Sequence, residues 1–242
     1  MMTHFKDDAP LFFSRRQGKV KKSGKERLIY SMEISRTVQS FFILFFVLYL
    51  IFPLAVPDGL AAHDAAPLVS TARERLDFEI YWLGIYVGNA TLEAVHNNEI
   101  LTITSRVHSN PFLSVLYKVE DFAQSRIMNG MPHQFRIKQH EGRYRSDKET
   151  IFDLPNRKIT FFNYLRDTRD EHTITVPLVW DVISGFYYLR TRYLEVGKTV
   201  FVDVFDSNKF LSVAVHVLGK ERIEVPQRGT VDTVKIRPVL HS

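Results

Sequence analysis

The chain has 242 residues, no cysteine and a formal net charge of +5. The missing thiols exclude a disulfide framework, thiolate catalysis, thiolate metal sites and membrane anchoring through a lipidated cysteine. The positive balance points to an anionic polymer only until its location is read: residues 1–31 hold eight Lys or Arg against three acids, and from His63 onward the count is 23 basic to 22 acidic. A body this close to neutral has no electrostatic footprint for nucleic acid.

In chain order, the basic extension 1–31 leads to residues 41–52 (FFILFFVLYLIF), an uninterrupted run of 12 apolar residues. A helix crossing the hydrocarbon layer needs about 20, whereas a run of this length fits the apolar segment of a secretory signal peptide. Gly59, Ala61 and Ala62 supply the small residues of a cleavage site. Residues 32–62 are therefore read as a signal peptide. Initiation at Met32 gives that leader ordinary proportions, so residues 1–31 are read as lying upstream of the true start, with a genuine cytoplasmic extension as the alternative. The expected destination is the periplasm or cell envelope of a bacterium, with membrane contact only through the apolar segment where it stays uncleaved. About 180 residues remain, enough for one domain with its own core.

Residues 63–73 are small and polar and read as a linker. Alternation begins directly after it: Leu76, Phe78, Ile80 and Trp82 share one face of an extended segment, with Asp77, Glu79 and Tyr81 on the other. That is the period of a half-buried strand. Leu101, Ile103 and Val107 likewise oppose Thr102, Thr104 and Arg106, and Val213, Val215 and Val217 oppose Ser212, Ala214 and His216. Residues 159–165 (ITFFNYL) are apolar on both faces. Turn signals at Glu141-Gly142, Pro155-Asn156, Ser207-Asn208 and Arg228-Gly229 separate such runs. Two segments break the rhythm. Residues 111–116 (PFLSVL) read as a short helix with proline at its first position. Residues 181–192 read as a second helix, capped by Asp181, with Val182, Phe186 and Leu189 at helical spacing; Gly185 weakens it by about 1 kcal/mol relative to alanine. The fold expected from this order is all-β, a curved antiparallel sheet or partial barrel with a helix packed on its concave side.

Residues 82–92 (WLGIYVGNATL), 117–127 (YKVEDFAQSRI), a charged hairpin ending in Phe152-Asp153, 180–190 (WDVISGFYYLR) and 219–236 (GKERIEVPQRGTVDTVKI) follow one another as in the DUF3108 family. The chain resembles that family over about residues 74–240. The resemblance implies a β-rich envelope domain, residues 74–242, with no assigned chemistry. It also implies a shortened member, since such domains continue past the last strand into a further hairpin, and a shortened sheet leaves an open edge.

None of the nine histidines sits in an HxH or HExxH pattern, there is no GxSxG elbow, and there is no glycine-rich phosphate loop. No catalytic residue, metal ligand or cofactor is therefore expected, and the protein reads as non-enzymatic, with hydrolysis the weakest alternative. His216, inside an apolar run, needs a hydrogen-bond partner where it is buried. Arg136 and Lys138, with His140, share one face of the charged hairpin, opposite Phe135 and Ile137. Trp180, Phe186, Tyr187 and Tyr188, with Phe161, Phe162 and Tyr164, either line an apolar cavity or fill it, as small barrels are filled by their own side chains. The leading expectation is a binding protein for a lipid or other amphipathic small molecule, apolar chain inward, with Arg136 and Lys138 at its polar end. The second is an envelope scaffold whose exposed sheet edge pairs with another envelope protein.

Overall fold

The computed structural model describes residues 31–32, 72–82, 84–225 and 229–241. The expected extension and signal peptide, apart from Ser31 and Met32, and linker residues 63–71 lie outside the described residues. Alternating side chains and tight turns build the strands β1 (Ser31–Met32), β2 (Arg73–Trp82), β3 (Ile85–Asn97) and β4 (Ile100–Ser109). After helix α1 (Pro111–Leu116) come β5 (Glu120–Met128), β6 (Met131–Glu141), β7 (Tyr144–Asp153), β8 (Lys158–Asn163) and β9 (Thr168–Thr173). Helix α2 (Val182–Leu189) precedes β10 (Thr199–Asp206), β11 (Lys209–Val225) and β12 (Gly229–His241).

Strands β2 to β9 each pair antiparallel with the next and form one large meander, with the two residues of β1 parallel along the β2 edge; β10 to β12 form a second sheet of three. Among the described residues neither sheet closes into a barrel. The hairpins follow from their turn residues. At Asn129-Gly130 both φ values are positive, 50° and 75°, the geometry whose twist matches two right-twisted strands. Gly88 serves a different purpose: a Cβ there would lie 2.1 Å from the carbonyl oxygen of His108, so β3 and β4 meet only because the side chain is missing.

The register aligns the inward side chains in rows across the large sheet. One row runs Ala94, Ile103, Ser125, Phe135, Thr150, Phe161; the next, toward the end that carries α1, runs Leu92, Ser105, Ala123, Ile137; the third runs Ala90, Val107, Asp121, Gln139, Ser146. Helix α2 lies over the first of these rows. Asp181, its N-cap, accepts from the backbone N–H groups of Ile183 and Ser184, and its other carboxylate oxygen receives the hydroxyls of Ser184 and, across the interface, Ser125 of β5. Seven of the eight helical residues are buried.

The helix is shorter than the 181–192 read from the sequence. Beyond Leu189 the backbone changes to three-residue bonds, from Thr191 N to Tyr188 O and from Arg192 N to Leu189 O, and the Thr191 hydroxyl also donates to Tyr188 O. A side chain that competes for the carbonyl in this way favours termination. The small sheet packs on the other side of α2, where Val202 and Val204 face Gly185. It is tied to β9 through Asn208, which meets His172 Nε2 at 2.6 Å and donates to Asp170 at 3.0 Å. In that sheet β10 accompanies β11 only over residues 209–216, while β11 and β12 stay paired as far as Val225 and Gly229. The two strands therefore run on as an arm past their neighbour.

Candidate functional site

The residues expected to surround a ligand lie on opposite faces of the large sheet. Phe161 and Phe162 are adjacent on β8, and adjacent strand residues point opposite ways. Phe161 is buried on the inner face, together with Trp180, Phe186 and Tyr187. Half-buried Tyr188 stacks on Trp180 at 4.7 Å. The Tyr187 hydroxyl donates to Glu74 at 3.0 Å, and Arg190 forms a two-pronged pair with the same carboxylate at 2.6 and 2.7 Å. These aromatic groups fill the space around α2.

Phe162, Tyr164, Arg136 and Lys138 belong to the outer face. Phe162 stacks on Tyr164, the Arg136 guanidinium lies 4.0 Å over the Tyr164 ring, and Tyr164 donates to Glu149. Arg136 pairs with Asp147 and Glu149, and Lys138 approaches Asp147 at 3.9 Å. Local carboxylates thus compensate the cations of the charged hairpin, and the sheet separates them from the aromatic residues of the inner face. His216 is half-buried and shares a hydrogen bond with Thr199 at 2.8 Å.

The two inner rows beyond α2 hold what the sequence reading passed over. Small buried side chains, Ala90, Ser105 and Ala123, alternate there with larger half-buried ones, Phe78, Ile80 and Ile137. A cavity of about 10 Å³ lies among Ser105, Val107, Asp121, Ala123, Ile137 and Gln139. The hydroxyls of Ser105 and Ser146 are buried without a hydrogen-bond partner among the described residues.

At the rim, β5 and β6 bring the buried carboxyl groups of Asp121 and Glu141 together. Asp121 accepts the backbone N–H of His140 at 3.0 Å, and Gln139 donates to Glu141 at 3.1 Å. The two carboxyl groups hydrogen-bond to each other. Burial, helped by the Asp121 charge, pushes Glu141 up to about 8; burial raises Asp121 as well. The pair therefore shares a proton near neutrality, and a protonated carboxyl can donate a hydrogen bond to a polar guest. His108 and His140 take the outer parity of their strands, so neither of these imidazoles joins the pair on the inner face. Among the described residues no group of three or more His, Asp or Glu is placed to hold a metal ion, and no helix is long and apolar enough to cross a membrane.

Sequence parity carried a signal for this pair. Asp121 continues the alternation of Ala123, Ser125 and Ile127, and Glu141 that of Phe135, Ile137 and Gln139, so both acids fall on apolar faces.

Fold and site together define an open all-β sheet domain with a helix packed on its inner face and a carboxyl pair at one end of that face. Residues 77–242 match the family described as Protein of unknown function (DUF3108), and the chain belongs to that family. No curated protein and no solved structure matches.

Proposed function

We propose that the protein is an exported, non-enzymatic domain of the bacterial cell envelope that binds an amphipathic or lipid-like molecule against the inner face of its large sheet. The observation that supports this is the polarity gradient of the rows beyond α2. Leu76, Leu92, Ala123 and Ile137 offer apolar surface near the helix, and Asp121, Gln139, Glu141 and Ser146 follow toward the rim. An acyl or other apolar chain laid along the strands meets the first group while its polar end meets the second. The buried hydroxyls of Ser105 and Ser146 gain partners when a polar guest arrives. This moves the polar end from Arg136 and Lys138 to the carboxyl pair. The cavity of about 10 Å³ has room for a water at most, so the guest enters by displacing the half-buried side chains.

Native mass spectrometry of the purified chain tests the reading, with Ala123→Trp as the blocked variant. The expected outcome is a co-purifying amphipathic mass in the natural chain that is lost in the variant. A natural chain free of any such mass, which also fails to take up a fluorescent fatty acid, would refute it. A second reading, an envelope scaffold, is favoured by β12, a strand of 13 residues hydrogen-bonded on one side only among the described residues. A defined envelope partner bound equally well by the Ala123→Trp chain would support that alternative.

A further inference from the structure

Helix α1 is mounted with its apolar stripe facing outward. Phe112, Val115 and Leu116 occupy one stripe at i, i+3 and i+4, and they are 81 %, 85 % and 80 % exposed. The polar residue of the same helix faces the protein: Ser114 shares a hydrogen bond with Ser109 at 2.6 Å and donates to Asn110 O at 2.7 Å. Asn110 fixes the mounting. Its side chain accepts from Leu113 N, and its backbone N–H donates to Val87 O on β3. An amphipathic helix on a folded body ordinarily turns this stripe inward; here the tether to β3 holds it out.

The display is continued by the β2–β3 turn beside it, where the paired residues Trp82 and Ile85 are 48 % and 66 % exposed, and by exposed Tyr117 after the helix. Basic residues ring this tip. Lys118 follows Tyr117 directly and is paired with Glu120. Its carbonyl holds the β6–β7 turn through Gly142 N, so exposed Arg143 and Arg145 stand alongside. The buried Asp121–Glu141 pair beneath them shares a proton and so sets one negative charge, not two, against these cations.

We infer that this end of the sheet is a membrane-docking tip that inserts Phe112, Val115, Leu116, Trp82 and Ile85 into the interfacial layer of a bilayer containing anionic phospholipid. Three features select that occupant. Large aliphatic side chains accompanied by Trp and Tyr suit the headgroup boundary, where an aromatic ring keeps one edge wet. Lys118, Arg143 and Arg145 complement anionic head groups. Most donors of the first helical turn are already satisfied before it meets lipid: Pro111 has no N–H, Leu113 N is bonded to the Asn110 side chain and Ser114 N to Asn110 O, which leaves the Phe112 amide to the headgroup layer. The contact is separate from the expected N-terminal apolar segment and from the inner-face ligand site.

Quenching of tryptophan emission in the full chain tests it, because the readout is local to Trp82 even if residues 41–52 hold the chain on the vesicle. Vesicles of phosphatidylethanolamine and phosphatidylglycerol carry bromine on their acyl chains, and the Trp82→Phe chain, which keeps only buried Trp180, sets the baseline. Quenching is expected in the natural chain and absent from that baseline. The pair Phe112→Asp and Leu116→Asp should weaken it by roughly a hundredfold, since each large side chain kept out of lipid forfeits about one order in partition. Lys118→Glu with Arg143→Glu should remove the preference for phosphatidylglycerol over phosphatidylcholine. Far-ultraviolet circular dichroism matching the natural chain confirms that each variant is folded. Quenching that is absent, or unmoved by the two aspartates in a folded chain, overturns the proposal. So does shielding of Trp82 from aqueous acrylamide without vesicles, which would assign the stripe to a second copy or to residues 41–52.

Discussion

The two helices are similar in size and opposite in placement. Helix α2 has eight residues, seven of them buried, and α1 has six, none buried. Neither is long enough to be stable alone in water, and each starts on a side-chain cap, Asp181 for α2 and Asn110 for α1. What differs is the source of the remaining support. In α2 it comes from Phe186, Tyr187 and Leu189 packed between two sheets; in α1 it comes from backbone tethers to β3 and a serine turned inward. Capping and tethering suffice to form a helix, and burial of its apolar side is a separate condition that a protein can withhold and offer to something else.

The sharpest way to break the contrast is to remove one phenylalanine from each helix. Phe186→Ala should lower the unfolding free energy by about 3–5 kcal/mol, measured by urea titration. Next in size is Asp181→Ala, about 2–4 kcal/mol, because the cap is lost and the hydroxyls of Ser125 and Ser184 are left buried without their acceptor. A loss below 1 kcal/mol would show that water replaces the carboxylate and that the cap is not needed.

An effect of comparable size concerns pH at the α1 end. Glu141 titrates near 8 when folded and near its ordinary 4.5 when unfolded. Its contribution is therefore present in full below about 4.5 and is lost as pH rises toward 8, so stability should fall across that window. Glu141→Gln should flatten the fall. Some slope should remain, since Asp121 and Asp181 are also raised by burial; an identical slope in the variant would sink the shared-proton assignment. Gly185→Ala should raise stability by up to about 1 kcal/mol, because the new Cβ meets Trp180, Val204 and Val202 at 3.4–3.6 Å, ordinary contact distances. Last, Phe112→Ala should leave stability within about 0.5 kcal/mol; a larger loss would mean that the stripe of α1 is covered by the protein itself.

The sheet was legible because alternation records which face is buried: the inward set of Leu76, Phe78 and Ile80, and that of Val213, Val215 and Val217, can be read directly. Residues 111–116 were legible as a helix, but its direction was not, since the stripe of Phe112, Val115 and Leu116 has the same spacing whether it faces core or solvent. Grouping Phe161 with Phe162 ignored the parity that separates them. The Asp121–Glu141 pair was hidden for a different reason: the two acids lie 20 positions apart and meet only once the β5–β6 register is known. Parity alone would have flagged each as an acid on an apolar face, though not as partners.

The arm formed by the ends of β11 and β12 has a dynamic consequence. Among the described residues the ladder there has no third strand beside it, so although Thr233 and Val234 are buried, opening one rung frees amides that no neighbouring strand holds. Deuterium should therefore enter the arm far sooner than it enters β4 or β5, which are braced on either flank, and a protease added to the native chain should make its first cut there.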